Sequence, residues 1–189
     1  VAVNCQSRGH IQRGSELTNR DLLVAALVVS DNCAAETLAN TYPGGFYKFL
    51  SDRNKMIEGM GLSNTHLHDA TGLSVFNVST INDLIAFAPF AYQNDVMRDI
   101  ASLSEAKLTM WRKGRTTNLT IRNTNPAMVN HPEIALSKTG TTNAAGRCVI
   151  MLVKRVQDMY AVVVLGEPNL KSRTRQVEKL LAYNETTTK

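Results

Sequence analysis

Two short runs carry residue types that could do chemistry together. The first is Ser30-Asp31-Asn32 and the second is Lys138-Thr139-Gly140, followed by Thr141. A hydroxyl and a carboxamide can move and hold a proton. A lysine ammonium supplies positive potential for an anionic group, and a glycine on a strand lets another backbone approach. Each run also has a plain structural reading. Ser30 could bond a carbonyl within a helix, and Lys138 could be an ordinary strand lysine. Order and context separate the readings. The triplet interrupts an apolar stretch, Leu22 to Val29, that is hydrophobic nearly all round. A polar triplet in a buried helical hairpin costs free energy unless its groups are satisfied or used.

Around the first run the pattern predicts a helical region from Leu17 to about Tyr42, with Thr18 as N-cap and Asp21 three residues on. A second helix is expected over Phe46 to Met60, stopped at Gly61. The stretch from Leu62 to Ser79 reads as loop. A third helix starts at the cap Ser79-Thr80, with Pro89 bending or stopping it. Thr116 to Arg122 alternates only weakly. Around the second run the period changes. Ile134 to Thr142, Arg147 to Arg155 and Met159 to Gly166 read as strands, the last two as an antiparallel hairpin. Leu170 to Tyr183 reads as an amphipathic helix with Val177, Leu180 and Leu181 on one face, and Glu185 to Lys189 as a polar tail. Helices, then antiparallel strands, then a closing helix make an α+β domain, expected to be single over 1–184 with a tail over 185–189.

Composition narrows the function classes. The 189 residues hold 21 Lys plus Arg against 16 Asp plus Glu, a net charge of +5, with 43% hydrophobic residues. That is globular composition, not disorder. No apolar run approaches the roughly 18 residues a membrane span needs. The basic clusters, Arg112-Lys113-Arg115 beside Trp111 and Lys171-Arg173-Arg175, are short and read as solvated surface, so no nucleic-acid partner is expected. A weakly basic chain suits an anionic polymer such as a cell wall. Cys5, Cys33 and Cys148 are too scattered for a zinc site or a disulfide framework, and Cys33 and Cys148 read as small buried apolar residues. His66 and His68 lack companions, so no metal and no cofactor are expected.

The two runs, in this order, resemble the signature of penicillin-binding proteins and class A β-lactamases. The likeness extends along the chain. "LLVAALVVSDNCAAETLANTYPGG" resembles the S-x-N region of low-molecular-mass penicillin-binding proteins. "MIEGMGLSNTHLHDATGL" follows their G-L-x-x-T…G-L pattern through Gly61-Leu62, Thr65 and Gly72-Leu73. "NVSTINDL", "IRNTNPAMV" and "LSKTGTTNAAGRCVIM" continue it, most like the DD-endopeptidase group that includes penicillin-binding protein 7. The chain is thus identified as similar to the D-alanyl-D-alanine carboxypeptidase family, serine peptidase family S11.

The resemblance implies a β-lactamase/transpeptidase-like fold: an antiparallel sheet, a helical subdomain and a C-terminal helix packed on the sheet. It implies a serine-type carboxypeptidase or endopeptidase acting through an acyl-enzyme on peptidoglycan stem peptides ending in D-Ala-D-Ala, in the periplasm or otherwise outside the cytoplasm at the cell wall. Ser30 would relay the proton to the leaving amine. Asn32 would hold the catalytic lysine and bond the substrate amide. Lys138 would attract the substrate carboxylate and support the Ser30 relay. The Thr141 backbone N–H would form half the oxyanion hole, the Thr139 and Thr141 hydroxyls would meet the carboxylate, and Gly140 would admit the substrate backbone. Ser30 and Lys138 should then face one cleft.

The family's nucleophile sits in an S-x-x-K motif N-terminal to the triplet, and none of the 29 residues before Ser30 supplies it. The one S-x-x-K, Ser104-Glu105-Ala106-Lys107, stands in the wrong order and reads as coincidence. Because the chain opens on Val1, a segment carrying the N-terminal strands and nucleophile helix is expected to have been removed, or to belong to a longer chain or another one. β-Lactams would be ligands if that segment is present. Its absence would uncover one face of the sheet and invite a dimer contact or a partner segment there. Alternatively the chain is a catalytically degenerate wall-binding or structural module of a virion or secretion assembly. A β-lactamase is disfavoured, because neither Glu58 nor Glu105 stands in the E-x-x-L-N setting deacylation needs.

Overall fold

The computed structural model describes residues 1–6, 9–156 and 158–186. Among the described residues, seven helices and five strands follow in the order α1 (Asn19–Val28), α2 (Asn32–Asn40), α3 (Gly45–Gly59), α4 (Ile81–Gln93), α5 (Asp95–Ala101), β1 (Glu105–Arg112), β2 (Arg115–Arg122), α6 (Ala127–Asn130), β3 (Ile134–Thr142), β4 (Gly146–Lys154), β5 (Met159–Glu167) and α7 (Leu170–Thr186). The class is α+β with antiparallel sheets. The chain divides into two units. One holds residues 1–79 and 103–123, and the other holds 80–102 and 124 onward.

In the first unit the expected helical region is broken at the triplet into α1 and α2. The Thr18 hydroxyl accepts from the Asp21 amide at 3.0 Å and donates to the Asp21 carboxylate at 2.7 Å, so the start of α1 is capped as its sequence predicts. Leu22, Ala25 and Val28 are fully buried. The first residues form an arm folded back on itself. The Val3 amide donates to the Ser15 carbonyl at 2.7 Å, and the Leu17 amide to Val1 at 3.0 Å. Glu16 then exchanges backbone bonds with Trp111 of β1, at 2.7 and 3.0 Å.

β1 and β2 form a hairpin that the sequence hid. Its turn, Lys113-Gly114, takes positive φ at both residues, 49° and 72°, the twist a two-residue hairpin loop requires. A lysine in place of the usual Asn or Asp masks that signal. β2 is also exposed at most positions, so its alternation is faint.

Cys5 and Cys33 are disulfide-bonded, with Cα atoms 5.2 Å apart and a sequence separation of 28. This corrects the reading of Cys33 as a buried thiol. The residue is buried, but as half of a cross-link. Closing a loop of that length stabilises a fold by about 3–4 kcal/mol in the chain-entropy model. Cys148 is free and half-buried.

The second unit is built on a three-stranded sheet in the order β3-β4-β5. One face packs Leu136 and Leu152 against Ala88 and Ala91 of α4 and Ala101 of α5, small residues that let the helices close on the strands. The other face packs Val149, Met151, Val153, Val162 and Val164 against Val177 and Leu181 of α7. Both faces are therefore covered, which corrects the expectation of a bare one. What lacks a neighbouring strand, among the described residues, is each outer edge, β3 and β5. α4 runs past Pro89 to Gln93 rather than stopping there, and the Asn94 side chain then caps α5 by accepting from Met97 N at 3.0 Å. α7 continues through Thr186, so residues 185 and 186 of the expected tail are helical, and residues 187–189 lie outside the described set. No helix among the described residues is long and apolar enough to cross a membrane.

His131, after α6, is bracketed by two carboxylates: Nδ1 lies 2.9 Å from Glu133 and Nε2 3.0 Å from Glu178 of α7. Burial alone would depress its pKa, but the two hydrogen bonds outweigh burial and raise it above the ordinary value. Partial burial works against ionised Glu133, yet its own backbone amide and His131 hold its pKa below the usual carboxylate value. The His131 contribution is full below its unfolded pKa, about 6.5, and is lost as pH rises through the raised folded value. The Glu133 contribution is lost as pH falls through its depressed folded value. Replacing His131 by Ala should therefore lower the melting temperature most near pH 5–6, by about 2–4 °C for a term of about 1 kcal/mol, and much less at pH 9. Equal losses at pH 5.5 and pH 9 in calorimetric scans would remove the bracket from the account.

Candidate active site

Ser30 follows the end of α1 in the left-handed region, with φ of 56°. That position usually falls to glycine, and a serine held there stores about 1–3 kcal/mol. Its backbone is fixed on both sides. The Val29 and Asp31 amides both donate to the Ala25 carbonyl, at 3.3 and 3.0 Å. Asp31 is 2% exposed and is the N-cap of α2, accepting from Ala34 N at 2.8 Å. The same carboxylate accepts from the His10 and Ile11 amides. Asn32 is the first residue of α2, and Ser30 and Asn32 are both half-buried. The polar triplet is thus accommodated by use of its middle residue as a cap, with the two flanking side chains left at the helix junction.

Lys138 to Thr141 lie on β3, the edge strand. Strand alternation puts Thr139 and Thr141 on one face and Lys138 on the other. Thr139 is 7% exposed, and its hydroxyl is 2.5 Å from that of Thr124. Gly140 is exposed, and a Cβ there would meet only Cys148 at 3.9 Å. Packing within the chain does not require that glycine, which leaves the space beside it open. The Lys138 Nζ donates to the Thr139 carbonyl at 2.7 Å. Burial, and then the Arg173 guanidinium, push the Lys138 pKa down to about 8.

Arg173 is the residue the sequence reading missed. It was expected on the surface with Lys171 and Arg175, but it is 3% exposed. It donates to the backbone carbonyls of Thr124 at 3.1 Å and Cys148 at 3.4 Å. A signal was available: Arg173, Val177 and Leu181 are spaced by four, which puts all three on the buried face of α7. Arg147, opposite Thr141 in the β3–β4 register, donates to the Thr141 hydroxyl at 3.4 Å and lines an open groove of about 540 Å³ with Asn143 and Pro168. Burial and Arg147 lower the Arg173 pKa. Among the described residues no carboxylate pairs with Arg147 or Arg173. Glu167 stands opposite Arg147 in the β4–β5 register without an ion pair between them, so among the described residues the hairpin end of β3 keeps an excess of positive charge.

The site residues divide by unit: Ser30 and Asn32 in the first, Lys138, Thr139, Gly140 and Thr141 in the second. The stray Ser104–Lys107 motif belongs to neither set. Ser104 precedes β1 and Lys107 lies on that strand, so the pair has no shared helix face.

Comparison with known proteins decides the family. The D-alanyl-D-alanine carboxypeptidase model of peptidase family S11 matches residues 3–169. The chain belongs to that family. Among curated relatives of this family, it is 33% identical to a D-alanyl-D-alanine endopeptidase of Escherichia coli over 177 residues, covering 93% of this chain and 56% of the relative. It is 37% identical to the Pseudomonas aeruginosa D-alanyl-D-alanine endopeptidase over 169 residues, covering 87% and 54%. The chain thus spans about half the length of these relatives. Among solved structures, the Streptomyces K15 DD-transpeptidase superposes with a TM-score of 0.87 at 25% identity, covering 94% of this chain and 71% of that one. The S11 family fold accounts for the antiparallel sheet and its C-terminal helix.

Proposed function

We propose that these residues are the substrate-binding and proton-relay part of a serine-type D-Ala-D-Ala peptidase, an endopeptidase by its likeness to the Escherichia coli and Pseudomonas aeruginosa relatives. It would act through an acyl-enzyme on peptidoglycan stem peptides, with the Ser-x-x-Lys nucleophile on a segment outside the 189 residues. The observation that carries the reading is the Lys138-Thr139-Gly140 strand at a sheet edge that has no neighbouring strand among the described residues, with Arg147 and Arg173 beside it in no ion pair there.

An edge strand offers unpaired backbone groups to an extended peptide. Lys138, largely charged below pH 8, attracts the substrate carboxylate, with Arg173 and Arg147 adding to the field. The Thr141 N–H serves as an oxyanion donor, which needs no reorganisation because its backbone is fixed in the strand. The exposed Thr141 hydroxyl bonds the carboxylate, and Thr139, buried and paired with Thr124, joins it only by leaving that partner. Gly140 leaves room for the peptide backbone. Ser30 passes a proton to the leaving amine, and Asn32 bonds the substrate amide and holds the nucleophile's lysine. The Cys5–Cys33 disulfide fits an oxidising compartment outside the cytoplasm.

The test uses the longer polypeptide that includes Ser-x-x-Lys. Disaccharide-peptide dimers cross-linked through D-Ala should be cut to monomers, resolved by chromatography and mass. Dimers and pentapeptide monomers both left intact would overturn the reading and favour a binding module without catalysis.

A further inference from the structure

Ser30 is held in a conformation that an isolated chain would leave. We propose that the N-terminal arm, through the Cys5–Cys33 disulfide and the Asp31 carboxylate, is the positioning device that keeps Ser30 and Asn32 in place. The catalytic part of this inference rests on the roles proposed above for those two residues.

Three observations converge on the arm. First, it is tied along a single face of α2. Cys5 is bonded to Cys33, the Gln6 amide donates to the Glu36 carboxylate at 3.1 and 3.2 Å, and the Asn4 carbonyl accepts from the Asn40 side chain at 3.5 Å. Positions 33, 36 and 40 are three and four apart, one stripe of a helix. Second, the arm closes over the triplet itself. The Asp31 carboxylate takes amide hydrogens from His10 and Ile11 of the arm and from Ala34 of α2. At Gly9 a side-chain carbon would overlap that carboxylate, so only glycine lets the arm come this close. Third, the cross-link enters α2 at Cys33, three positions after Ser30 and directly after Asn32.

A left-handed serine persists only where its surroundings fix it more firmly than its own backbone preference. Here the Ala25 carbonyl fixes the α1 side, and the arm fixes the α2 side. With the arm released, Asp31 keeps its bonds with Ala34, Ala35 and Ala25 but loses those from His10 and Ile11, and the Ser30 backbone is less firmly held against relaxing toward the right-handed or extended region. Its hydroxyl and the Asn32 amide would then move together.

The experiment compares oxidised and reduced forms of the longer polypeptide at about room temperature, once far-UV circular dichroism has verified that both are folded. Dithiothreitol gives two electrons and two protons to the disulfide, leaving two thiols, and closes to its own cyclic disulfide. Because Cys5 is 7% exposed and Cys33 fully buried, a Cys5→Ser, Cys33→Ala double variant is measured beside the reduced protein. Two readouts are followed: the rate of acylation by benzylpenicillin, and amide hydrogen exchange over residues 29–35. Loss of the cross-link should slow acylation about tenfold or more, speed exchange over 29–35 by a similar factor, and leave β3–β5 protected. Re-oxidation should restore both. A cross-link that only stabilises the fold would lower the melting temperature and leave both readouts unchanged, which would overturn the proposal. If the oxidised wild type does not react with penicillin, the peptidase reading fails. Exchange over 29–35 still decides whether the arm holds the triplet, and unchanged exchange rejects that too.

Discussion

Benzylpenicillin should add no mass to the 189-residue chain, and should add one penicilloyl group to a longer polypeptide that carries Ser-x-x-Lys. A β-lactam imitates D-Ala-D-Ala and traps whichever serine attacks it. The sequence has one Ser-x-x-Lys, and its Ser104 and Lys107 lie at and on strand β1, not on a shared helical turn where one could take the other's proton. Ser30 has its expected role on the leaving-group side and no second base assigned to it. Removing the nucleophile of such a set abolishes nearly all acceleration, leaving binding and oxyanion stabilisation. The difference between the two polypeptides should therefore be all or none in intact-mass spectra after an hour. Peptide mapping gives the result its meaning. An adduct on Ser104 would reinstate that motif, and one on Ser30 would reassign the roles. No adduct on either polypeptide would leave a module that binds without cutting.

Lys138→Ala should weaken a D-Ala-D-Ala peptide roughly ten- to hundredfold, measured by calorimetry on the longer polypeptide. A charge-assisted hydrogen bond to a carboxylate is worth about 1.5–3 kcal/mol, and that is the contact removed. The pH dependence makes the test specific. With a pKa near 8, the Lys138 amine is charged below that value and neutral above it, so wild-type affinity should fall as pH rises through about 8. Lys138→Arg keeps its charge across this range and should lose that step while retaining part of the affinity. An alanine variant with unchanged affinity, or a wild type whose affinity is flat from pH 6 to 9.5, would take Lys138 out of carboxylate recognition.

Much of the second unit was legible because its sheet packs helices on both faces, which makes its strands apolar runs, and because its turns are short. The runs Ile134 to Thr142 and Met159 to Gly166 reproduce β3 and β5 to within a residue. The triplet was legible as an anomaly, polar groups set in an apolar stretch, but its geometry was not. Nothing local marks Ser30 as left-handed, because the groups that fix it come from the arm and from Ala25. The disulfide was hidden for the same reason: pairing Cys5 with Cys33 depends on where the arm folds. Arg173 was misread because a charged residue among Lys171 and Arg175 looks like surface until helical spacing is given more weight than charge. The β1–β2 hairpin was lost because its strands face outward at most positions and carry little hydrophobic pattern.

The backbone pairing of Glu16 with Trp111 also gives the protein an internal optical reporter. Trp111 is the single tryptophan, 43% exposed on β1, and its amide and carbonyl are both engaged by the arm. Excitation at the red edge of protein absorbance thus illuminates the first unit alone. The five tyrosines are shared, with Tyr42 and Tyr47 in the first unit and Tyr92, Tyr160 and Tyr183 in the second. Detachment of the arm would be read as a change in indole emission while the tyrosine signal holds, whereas global melting moves both signals together. Loosening near the triplet can therefore be told from unfolding in an ordinary cuvette, without a label and without altering a residue.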